Sequence, residues 1–306
     1  MGALFTCSCP IKINLTLRVL GRRDDGYHEI QTLFLRIPSP EIIEASLTGK
    51  ADRLSVFGAE IDGENLITKS CGFLREKYGD RLPYFDVKLF KHLPAGSGVG
   101  AGSGNAAGFI RGVSSICGLG ANDVSRNVAA LGADVAFLAS GYGLAFAAGI
   151  GERMEEINDY NELKLPALIF FPRWSSGTKA AYAELDRLRG GDCNKPNPAC
   201  RDEALDILRS LAKGSRVGML PNDFICCMNE YEEQYGSLYR AADDAGAIAW
   251  GLCGSGSASF VIFSEKNLAG RDALLRRVMI GEPENFSWIS KVWNPERATG
   301  GGRPCQ

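Results

Sequence analysis

The sequence predicts an α+β fold, because strand-like and helix-like segments are mixed along the chain rather than strictly alternating. Alternation of apolar and polar residues marks the strands, and apolar residues spaced three to four apart mark the helices. A polar stretch at residues 158–162 ends the first mixed half, and a new apolar strand begins at Pro166. A chain of 306 residues is long enough for two domains, which we expect at residues 1–160 and 161–306.

The first half is predicted to combine strands with helices. Apolar and polar side chains alternate over residues 7–20, and a polar turn over 21–26 leads into a second strand over 27–36. The other elements expected here are strands over 54–57, 85–90 and 143–148 and helices over 65–78 and 124–131, the last capped by Asn122-Asp123.

The second half is predicted to start with a strand over 166–171. A helical stretch over 177–213 is interrupted at 190–198 by an insert of Gly, Asn and Pro that we expect to be disordered. A further helix over 231–246 is expected to end at Gly246, since glycine commonly follows a helix C-terminus. Residues 250–263 predict strand around a glycine-serine turn, and the tail at 300–304 is expected to be disordered.

Composition excludes several classes of function. The net charge is −2, so nothing indicates binding to nucleic acid or to an anionic membrane surface. No apolar run approaches the roughly 18 residues that span a bilayer. The first residues lack the basic start and long apolar core of a signal peptide. We therefore expect a cytoplasmic protein.

The ten cysteines do not indicate a metal site. The sequence contains no Cys-x-x-Cys pair and only two histidines, which makes a zinc site unlikely by composition. Without secretion, we expect mostly reduced thiols, several of them buried as small apolar side chains. No cysteine stands out as a nucleophile.

The segment over 93–107 is the most informative part of the chain. It follows the strand over 85–90 and precedes an apolar, helix-like stretch that starts at Ala106. A glycine loop in that position lets backbone N–H groups approach an anion, and the helix N-terminus favours phosphate. The segment lacks the Gly-Lys-Ser/Thr end of a Walker A loop and the Rossmann setting. A flexible linker is the alternative, although linkers do not run directly into a core helix.

Three further segments carry candidate chemistry. Lys12 and Asn14 share one face of the first strand, although a strand lysine is usually solvated. Asp134 is the one acid in an apolar run, so it must be paired or functional unless it caps a helix. A glycine-serine turn at 254–257 lies within strand sequence, where a bulge or a hairpin is the alternative.

Together these segments resemble the GHMP kinases, which include galactokinase, homoserine kinase and mevalonate kinase. The resemblance rests on Pro-x-Lys-x-Asn at 10–14, the Pro-x-Gly-x-Gly-x-Gly-x-Gly-Ser segment at 94–103 and Gly-Ser-Gly at 254–256. Within that family the chain is most similar to kinases of a cytidine-bearing acceptor. That narrower match is carried by residues 21–34 with Asp-Gly-Tyr-His at 25–28, and by 64–66, 132–135, 149–152 and 222–223.

The resemblance implies a fold and a reaction. The fold would pair an N-terminal domain like domain 2 of ribosomal protein S5 with a ferredoxin-like C-terminal domain. The reaction would use ATP and Mg²⁺ to phosphorylate the 2-hydroxyl of a cytidine diphosphate-linked methylerythritol in the non-mevalonate route to isoprenoid precursors. The implied partners are these small molecules, with no nucleic acid and no membrane, for a monomer or weak homodimer.

The resemblance also assigns roles to residues. Asp134 would take or orient the proton of the acceptor hydroxyl, Lys12 would lie near it and the transferring phosphoryl group, and Tyr27 and His28 would hold cytidine. A carboxylate beside a lysine is expected to stay ionised. Further substrate contacts are implied for Asn14, Gly254, Ser255 and Gly256, and ATP contacts for Asn65, Lys91, Pro94, Gly96, Gly98, Gly100, Gly102, Ser103 and Gly104, with Ser103 also near the metal.

The sequence departs from the family pattern at two places. The family usually has Gly-Gly-Gly-Ser-Ser where residues 100–104 are Gly-Ala-Gly-Ser-Gly, and it has proline where Ala136 stands. We expect Ser103 alone to supply a hydroxyl near the phosphates, with Gly104→Ser mild or beneficial.

Two rival functions remain open at this stage. One is a GHMP kinase for another small alcohol of the homoserine or mevalonate type, against which Asp-Gly-Tyr-His at 25–28 argues. The other is a non-catalytic nucleotide-binding relative, against which the retention of both Lys12 and Asp134 argues.

Overall fold

The predicted α+β class is confirmed by a computed structural model that describes residues 2–58, 63–119, 127–160, 163–189, 199–281 and 286–292. In these residues thirteen strands form three sheets, with seven α-helices around them. Among these helices, none is long and apolar enough to cross a membrane. The helices are α1 (Leu66–Tyr78), α2 (Ala101–Cys117), α3 (Ala133–Ser140), α4 (Thr178–Arg189), α5 (Ala199–Ala212), α6 (Glu232–Asp244) and α7 (Leu268–Gly281).

The first half contains two four-stranded sheets. One has the order β1-β4-β6-β5 and the other β2-β3-β7-β8. Their strands are β1 (Phe5–Ser8), β2 (Ile11–Arg22), β3 (His28–Ile37), β4 (Ile42–Thr48), β5 (Arg53–Gly58), β6 (Tyr84–Lys91), β7 (Leu144–Gly149) and β8 (Arg153–Glu156).

The single strand expected over 7–20 is wrong, because the chain changes sheets within it. β1 pairs with β4, whereas β2 pairs with β3. Pro10 lies between the two strands, and proline has no N–H to continue a ladder. A shift of register between Asn14 and Thr16 then changes which side chains of β2 share a face, so that Lys12, Asn14 and Leu17 all line one cavity.

The second half contains a five-stranded sheet of order β10-β11-β12-β9-β13. Strands β13, β9, β12 and β11 are antiparallel neighbours in that order, which is the split β-α-β arrangement of a ferredoxin-like sheet. The short β10 adds to β11 in parallel. The strands are β9 (Ala167–Pro172), β10 (Gly218–Met219), β11 (Ala249–Leu252), β12 (Ser259–Ile262) and β13 (Phe286–Val292).

One hydrophobic core joins the two halves. Ile13 and Leu33 from the first half pack in the same buried cluster as Ile169 and Phe260 from the second. The boundary expected at residue 160 falls in the connection between β8 and β9 and stays a prediction. Burial of apolar side chains across this junction fixes how the halves face each other, and so fixes the cavity between them.

Helix α2 begins at Ala101, five residues before the helix-like stretch that the sequence indicated. Three of its glycines lie one turn apart and face the chain around β1. A Cβ atom on Gly104 would lie 1.8 Å from the Pro10 carbonyl oxygen, on Gly108 it would lie 3.1 Å from Cys9 Sγ, and on Gly112 2.3 Å from the Phe5 ring. These glycines are therefore packing residues of a helix rather than loop residues, and tertiary contact outweighs their low helix propensity.

Most other element predictions are confirmed to within a few residues. The helical stretch over 177–213 appears as α4 and α5, and Gly246 follows α6 with φ 73° and its N–H donating to Asp243 O. Cys9, Cys200 and Cys253 are buried free thiols, as expected. The cap at Asn122-Asp123, the insert at 190–198 and the tail at 300–304 lie outside the described residues.

We predict that Gly104→Ser destabilises the fold, because the added Cβ would overlap the Pro10 carbonyl at the closest approach of α2. The expected loss in free energy of unfolding is about 1–3 kcal/mol, measured by urea denaturation. Gly72→Ser in α1 is the matched control, since a Cβ there meets nothing within 4 Å. Equal stability of the two variants would contradict this packing account.

Candidate active site

A cavity of about 1280 Å³ lies between the two halves. The N-termini of four helices reach its wall, through Asn65 of α1's cap and through Ala101, Ala133 and Thr178 at the starts of α2, α3 and α4. Each helix N-terminus carries unpaired N–H groups and a partial positive charge. The cavity is thus built to hold anions, and a ligand with several phosphate groups fits that field.

Lys12 and Asp134 meet at this cavity. Lys12 Nζ is 3.5 Å from Asp134 Oδ2, with side chains 6% and 34% exposed. The ammonium also donates to Asn14 Oδ1 at 3.0 Å, and Asn14 Nδ2 donates to Thr32 Oγ1 at 2.8 Å. The chain of hydrogen bonds orients the buried ammonium, while the carboxylate keeps an edge open to ligand.

The glycine segment passes directly over this pair. Gly96, Gly98 and Gly100 have φ of 69°, 80° and 67°, a left-handed conformation that glycine adopts without strain. A Cβ on Gly100 would lie 3.3 Å from Asp134 Oδ2 and 3.5 Å from the Lys12 side chain. Lys12 N–H donates to Val99 O at 2.9 Å. The segment is therefore fixed onto β2 immediately above the ion pair.

The turn after β11 closes the other side of the segment. A Cβ on Gly98 would lie 1.9 Å from Cys253 O, and Ala258 N–H donates to Ser97 O at 2.9 Å. A Cβ on Gly254 would lie 3.1 Å from Lys12 Nζ. Burial raises the pKa of Cys253 to about 12, so this neighbour of Lys12 stays a neutral thiol and is no nucleophile.

A fully buried carboxylate, Glu41, holds the start of the glycine segment from beneath. Its Oε1 accepts from Lys91 Nζ at 2.9 Å and from the backbone N–H groups of His92 and Leu93 at 3.2 and 2.8 Å. Its Oε2 accepts from Asn105 Nδ2 at 2.5 Å. The contacts tie β6 to α2 at both ends of the segment.

This network gives Lys91 a place different from the one expected. Its side chain is 2% exposed and its ammonium is paired with Glu41, which is 0% exposed. The residue borders the cavity, but its charge is used inside the protein, because a buried ammonium needs its partner. The Lys91 ammonium therefore supports the glycine segment, and the expected ATP contact of this residue stays a prediction.

Tyr27 and His28 line the same cavity where β3 begins. Tyr27 is 61% exposed at the end of the turn before β3, whereas the His28 side chain is 8% exposed. The His28 ring stacks on Tyr182 of α4 at 4.4 Å, and its Nε2 is 2.8 Å from Asp186 Oδ1. Burial, and secondarily the charge of Asp134, raises the pKa of Tyr182 to about 12. This part of the cavity wall offers a flat aromatic surface with polar edges.

The comparisons with known proteins decide the family. The model described as GHMP kinases N terminal domain matches residues 65–152. A 4-diphosphocytidyl-2-C-methyl-D-erythritol kinase of Porphyromonas gingivalis is 31% identical over 261 residues, which cover 83% of this chain and 90% of that protein. The chain belongs to this family of GHMP kinases.

Two further relatives of the same family agree. The chloroplastic enzyme of Arabidopsis thaliana is 34% identical over 195 residues, covering 62% of this chain and 50% of that protein. A crystal structure of a 4-(cytidine 5'-diphospho)-2C-methyl-D-erythritol kinase has a TM-score of 0.70 at 26% identity and covers 95% of this chain and 99% of that one. The GHMP kinase fold expected from the sequence is thereby confirmed.

Most residues singled out by resemblance to GHMP kinases line the one cavity. They are Lys12, Asn14, Tyr27, His28, Asn65, Lys91, Pro94, Gly96, Gly98, Gly100, Gly102, Ser103, Asp134, Gly254 and Ser255. Asn65 also caps α1, where its Oδ1 accepts from Ile67 N–H at 2.8 Å.

Two of the expected site residues lie outside the cavity wall. Gly104 packs on Pro10, and this close approach argues against the expectation that Gly104→Ser is mild or beneficial. Gly256 lies behind the turn, where a Cβ would meet Met228 at 3.4 Å. Both glycines adjoin residues that do line the cavity, Ser103 and Ser255, and their own ligand contacts stay a prediction.

Sequence reasoning missed Glu41, Tyr182, Asp186 and Thr178. Thr178 Oγ1 accepts from Ser255 Oγ at 3.3 Å, which joins α4 to the turn after β11. No local motif marks any of these residues. Only a pattern of helical spacing, with Tyr182 and Asp186 four residues apart on one face of α4, could have indicated that two of them act together.

We predict that Glu41→Gln lowers the free energy of unfolding by about 3–5 kcal/mol, because it leaves the Lys91 ammonium buried without a countercharge. Urea denaturation measures the loss. The exposed Glu76→Gln is the control, and Glu41→Gln combined with Lys91→Met should recover part of the stability. A double variant that loses the sum of both single losses would contradict a coupled pair.

Proposed function

We propose that this protein transfers the γ-phosphoryl group of ATP to the 2-hydroxyl of 4-diphosphocytidyl-2-C-methyl-D-erythritol. The observation that carries the proposal is that the Lys12–Asp134 pair, 3.5 Å apart, lines one cavity together with the glycine segment and with Tyr27 and His28. Two nucleotides bound in this cavity, one at the glycine segment and one at Tyr27 and His28, would bring a phosphoryl donor and an acceptor hydroxyl together at this pair. The names of the relatives support the same reaction.

The ATP phosphates would lie against the glycine segment and the first turn of α2. Helix α2 begins without a side-chain cap at Gly100, so its first N–H groups are available to phosphate oxygens. Left-handed glycines let the backbone come close, where side chains would block it. ATP-side contacts are proposed for Asn65, Pro94, Gly96, Gly98, Gly100, Gly102 and Ser103, which all line the cavity.

The acceptor hydroxyl would be activated at Asp134. The hydroxyl oxygen forms a bond to the γ-phosphorus as the bond from that phosphorus to the bridging oxygen of ADP breaks. The hydroxyl proton passes to the Asp134 carboxylate. Lys12 would position that carboxylate and stabilise charge on the transferring phosphoryl oxygens. Neither step needs covalent attachment to the protein.

A Mg²⁺ ion fits the donor set of this cavity when it arrives with ATP. No group of three or more His, Cys, Asp or Glu in the described residues could hold a metal by itself. Mg²⁺ prefers oxygen ligands, keeps several waters and is usually held by phosphates with one or two protein groups. Ser103, half-buried in the first turn of α2, would supply a hydroxyl, and the ion would neutralise phosphate charge.

The cytidine of the acceptor would lie at Tyr27 and His28. The exposed Tyr27 ring is free to cover one face of a base, and stacking contributes about 1–3 kcal/mol per base. Asn14, Gly254 and Ser255 would border the methylerythritol, since they adjoin Lys12. The proposal also keeps a cytoplasmic location and a monomer or weak homodimer.

A substrate panel tests the function. The purified protein is incubated with ATP and Mg²⁺ and with the cytidyl acceptor, homoserine or mevalonate, and ADP release is followed. We expect ADP release with the cytidyl acceptor and none with homoserine or mevalonate. Turnover with homoserine or mevalonate instead would assign another small alcohol, and ATP binding without any turnover would support a non-catalytic protein.

We predict that Asp134→Asn lowers kcat by a factor on the order of a hundred or more, because the amide cannot take the hydroxyl proton. ATP affinity by calorimetry should stay near that of the wild-type protein, and the circular dichroism spectrum should stay native, although the thermal midpoint falls because the buried Lys12 ammonium loses its countercharge. The control is Asp159→Asn, at an exposed position outside the cavity. Near-normal turnover of Asp134→Asn would remove Asp134 from the reaction.

We predict that Tyr27→Ala combined with His28→Ala raises KM for the cytidyl acceptor at least about tenfold, the loss of one stacked base contact. KM for ATP should not change, since the proposal assigns ATP to the glycine segment and only the cytidyl acceptor to Tyr27 and His28. Tyr84→Ala removes a part-exposed aromatic side chain outside the cavity and is the control. Equal weakening for both ligands would indicate a folding defect instead.

A further inference from the structure

The imidazole of His28 is held in one orientation by two side chains of α4. Asp186 Oδ1 lies 2.8 Å from Nε2, and Tyr182 stacks on the ring with an interplanar angle of 23°. Tyr182 is itself held edge-on by Phe224 at 4.8 Å. With its side chain 8% exposed, the ring cannot turn over without breaking both contacts.

The contact with Asp186 determines which ring nitrogen carries the proton. A carboxylate can only accept hydrogen bonds, so Nε2 must be the donor. In the neutral imidazole, Nδ1 then keeps its lone pair and can only accept. Within the described part of the chain, Asp186 is the one hydrogen-bond partner of this ring. A ligand that reaches the neutral His28 ring in the cavity therefore meets an acceptor at Nδ1.

We propose that Asp186 is the specificity-determining residue for the acceptor's base, acting by fixing the Nε2–H tautomer of His28. Cytosine has an amino donor where uracil has a carbonyl acceptor. The amino group can pair with the Nδ1 lone pair, whereas the carbonyl oxygen of uracil would face it without a proton between them. Rejection of the uridine analogue follows from that unpaired contact. This inference rests on the proposed function, because it concerns the same acceptor.

The same geometry predicts the effect of replacing the acceptor at Asp186 by a hydrogen-bond donor. Asp186→Lys places a donor at Nε2, which then must accept, so the proton moves to Nδ1. Asp186→Asn can both donate and accept and leaves the tautomer unfixed. Glu184→Lys is the matched control, with the same charge change on α4 at an ion pair with Arg187 that lies outside the cavity.

Nitrogen NMR of the intact protein observes the tautomer directly. The sequence has only two histidines, so a His92→Gln variant assigns the His28 signals. We expect Nε2–H in the unchanged protein and in Glu184→Lys, and Nδ1–H in Asp186→Lys. An Nδ1–H tautomer in the unchanged protein, or the same tautomer in Asp186→Lys, would overturn the proposal.

Kinetics with cytidine- and uridine-linked methylerythritol at saturating ATP test the selectivity. We expect Asp186→Asn to reduce the cytidine-to-uridine ratio of kcat/KM about tenfold, the size of one hydrogen bond, through KM rather than kcat. If the wild-type protein phosphorylates the cytidyl acceptor and Asp186→Asn has the same cytidine-to-uridine ratio of kcat/KM, the proposal is overturned. Failure of the unchanged protein to phosphorylate that acceptor would instead reject the proposed function, and the NMR result would stand apart from it.

Discussion

The buried ammonium of Lys12 is the point on which the arrangement of the cavity depends. The Lys12 backbone N–H donates to Val99 O, and its Nζ donates to Asn14 Oδ1 and pairs with Asp134. The turn at Gly254 passes close to the same Nζ. Four segments that are far apart in sequence are thus fixed around one charge. Because an unpaired buried ammonium is costly, these segments keep their places relative to one another, and the carboxylate of Asp134 is positioned by the same pairing.

The ends of helices contribute to the electrostatics of the cavity, beside charged side chains of both signs in its wall. Four helix N-termini reach its wall, while the net charge of the chain is −2. Helix termini and backbone N–H groups form a local positive field in a protein that is overall slightly acidic. Such a field suits polyanionic ligands without attracting nucleic acid to the rest of the surface.

Sequence alone could predict the parts of this site that are carried by local motifs. The glycine segment followed from a short pattern that acts through backbone conformation, and the proximity of Lys12 to Asp134 was implied by the resemblance to GHMP kinases. Glu41 could not be found that way, because its four donors come from two other elements. The glycines of α2 misled the prediction because a low helix propensity is a local property, whereas their contact with Pro10 and Phe5 is a tertiary one. Tyr182 and Asp186 likewise acquire meaning only when α4 packs against β3.

The most direct test of this account is a crystal structure with the cytidyl acceptor and a non-hydrolysable ATP analogue bound together. The account predicts the acceptor 2-hydroxyl oxygen at about 2.6–3.2 Å from an Asp134 carboxylate oxygen, with the γ-phosphoryl group between that hydroxyl and the start of α2 and next to Lys12. An acceptor hydroxyl that lies away from Asp134, or an ATP analogue bound elsewhere than the glycine segment, would contradict it.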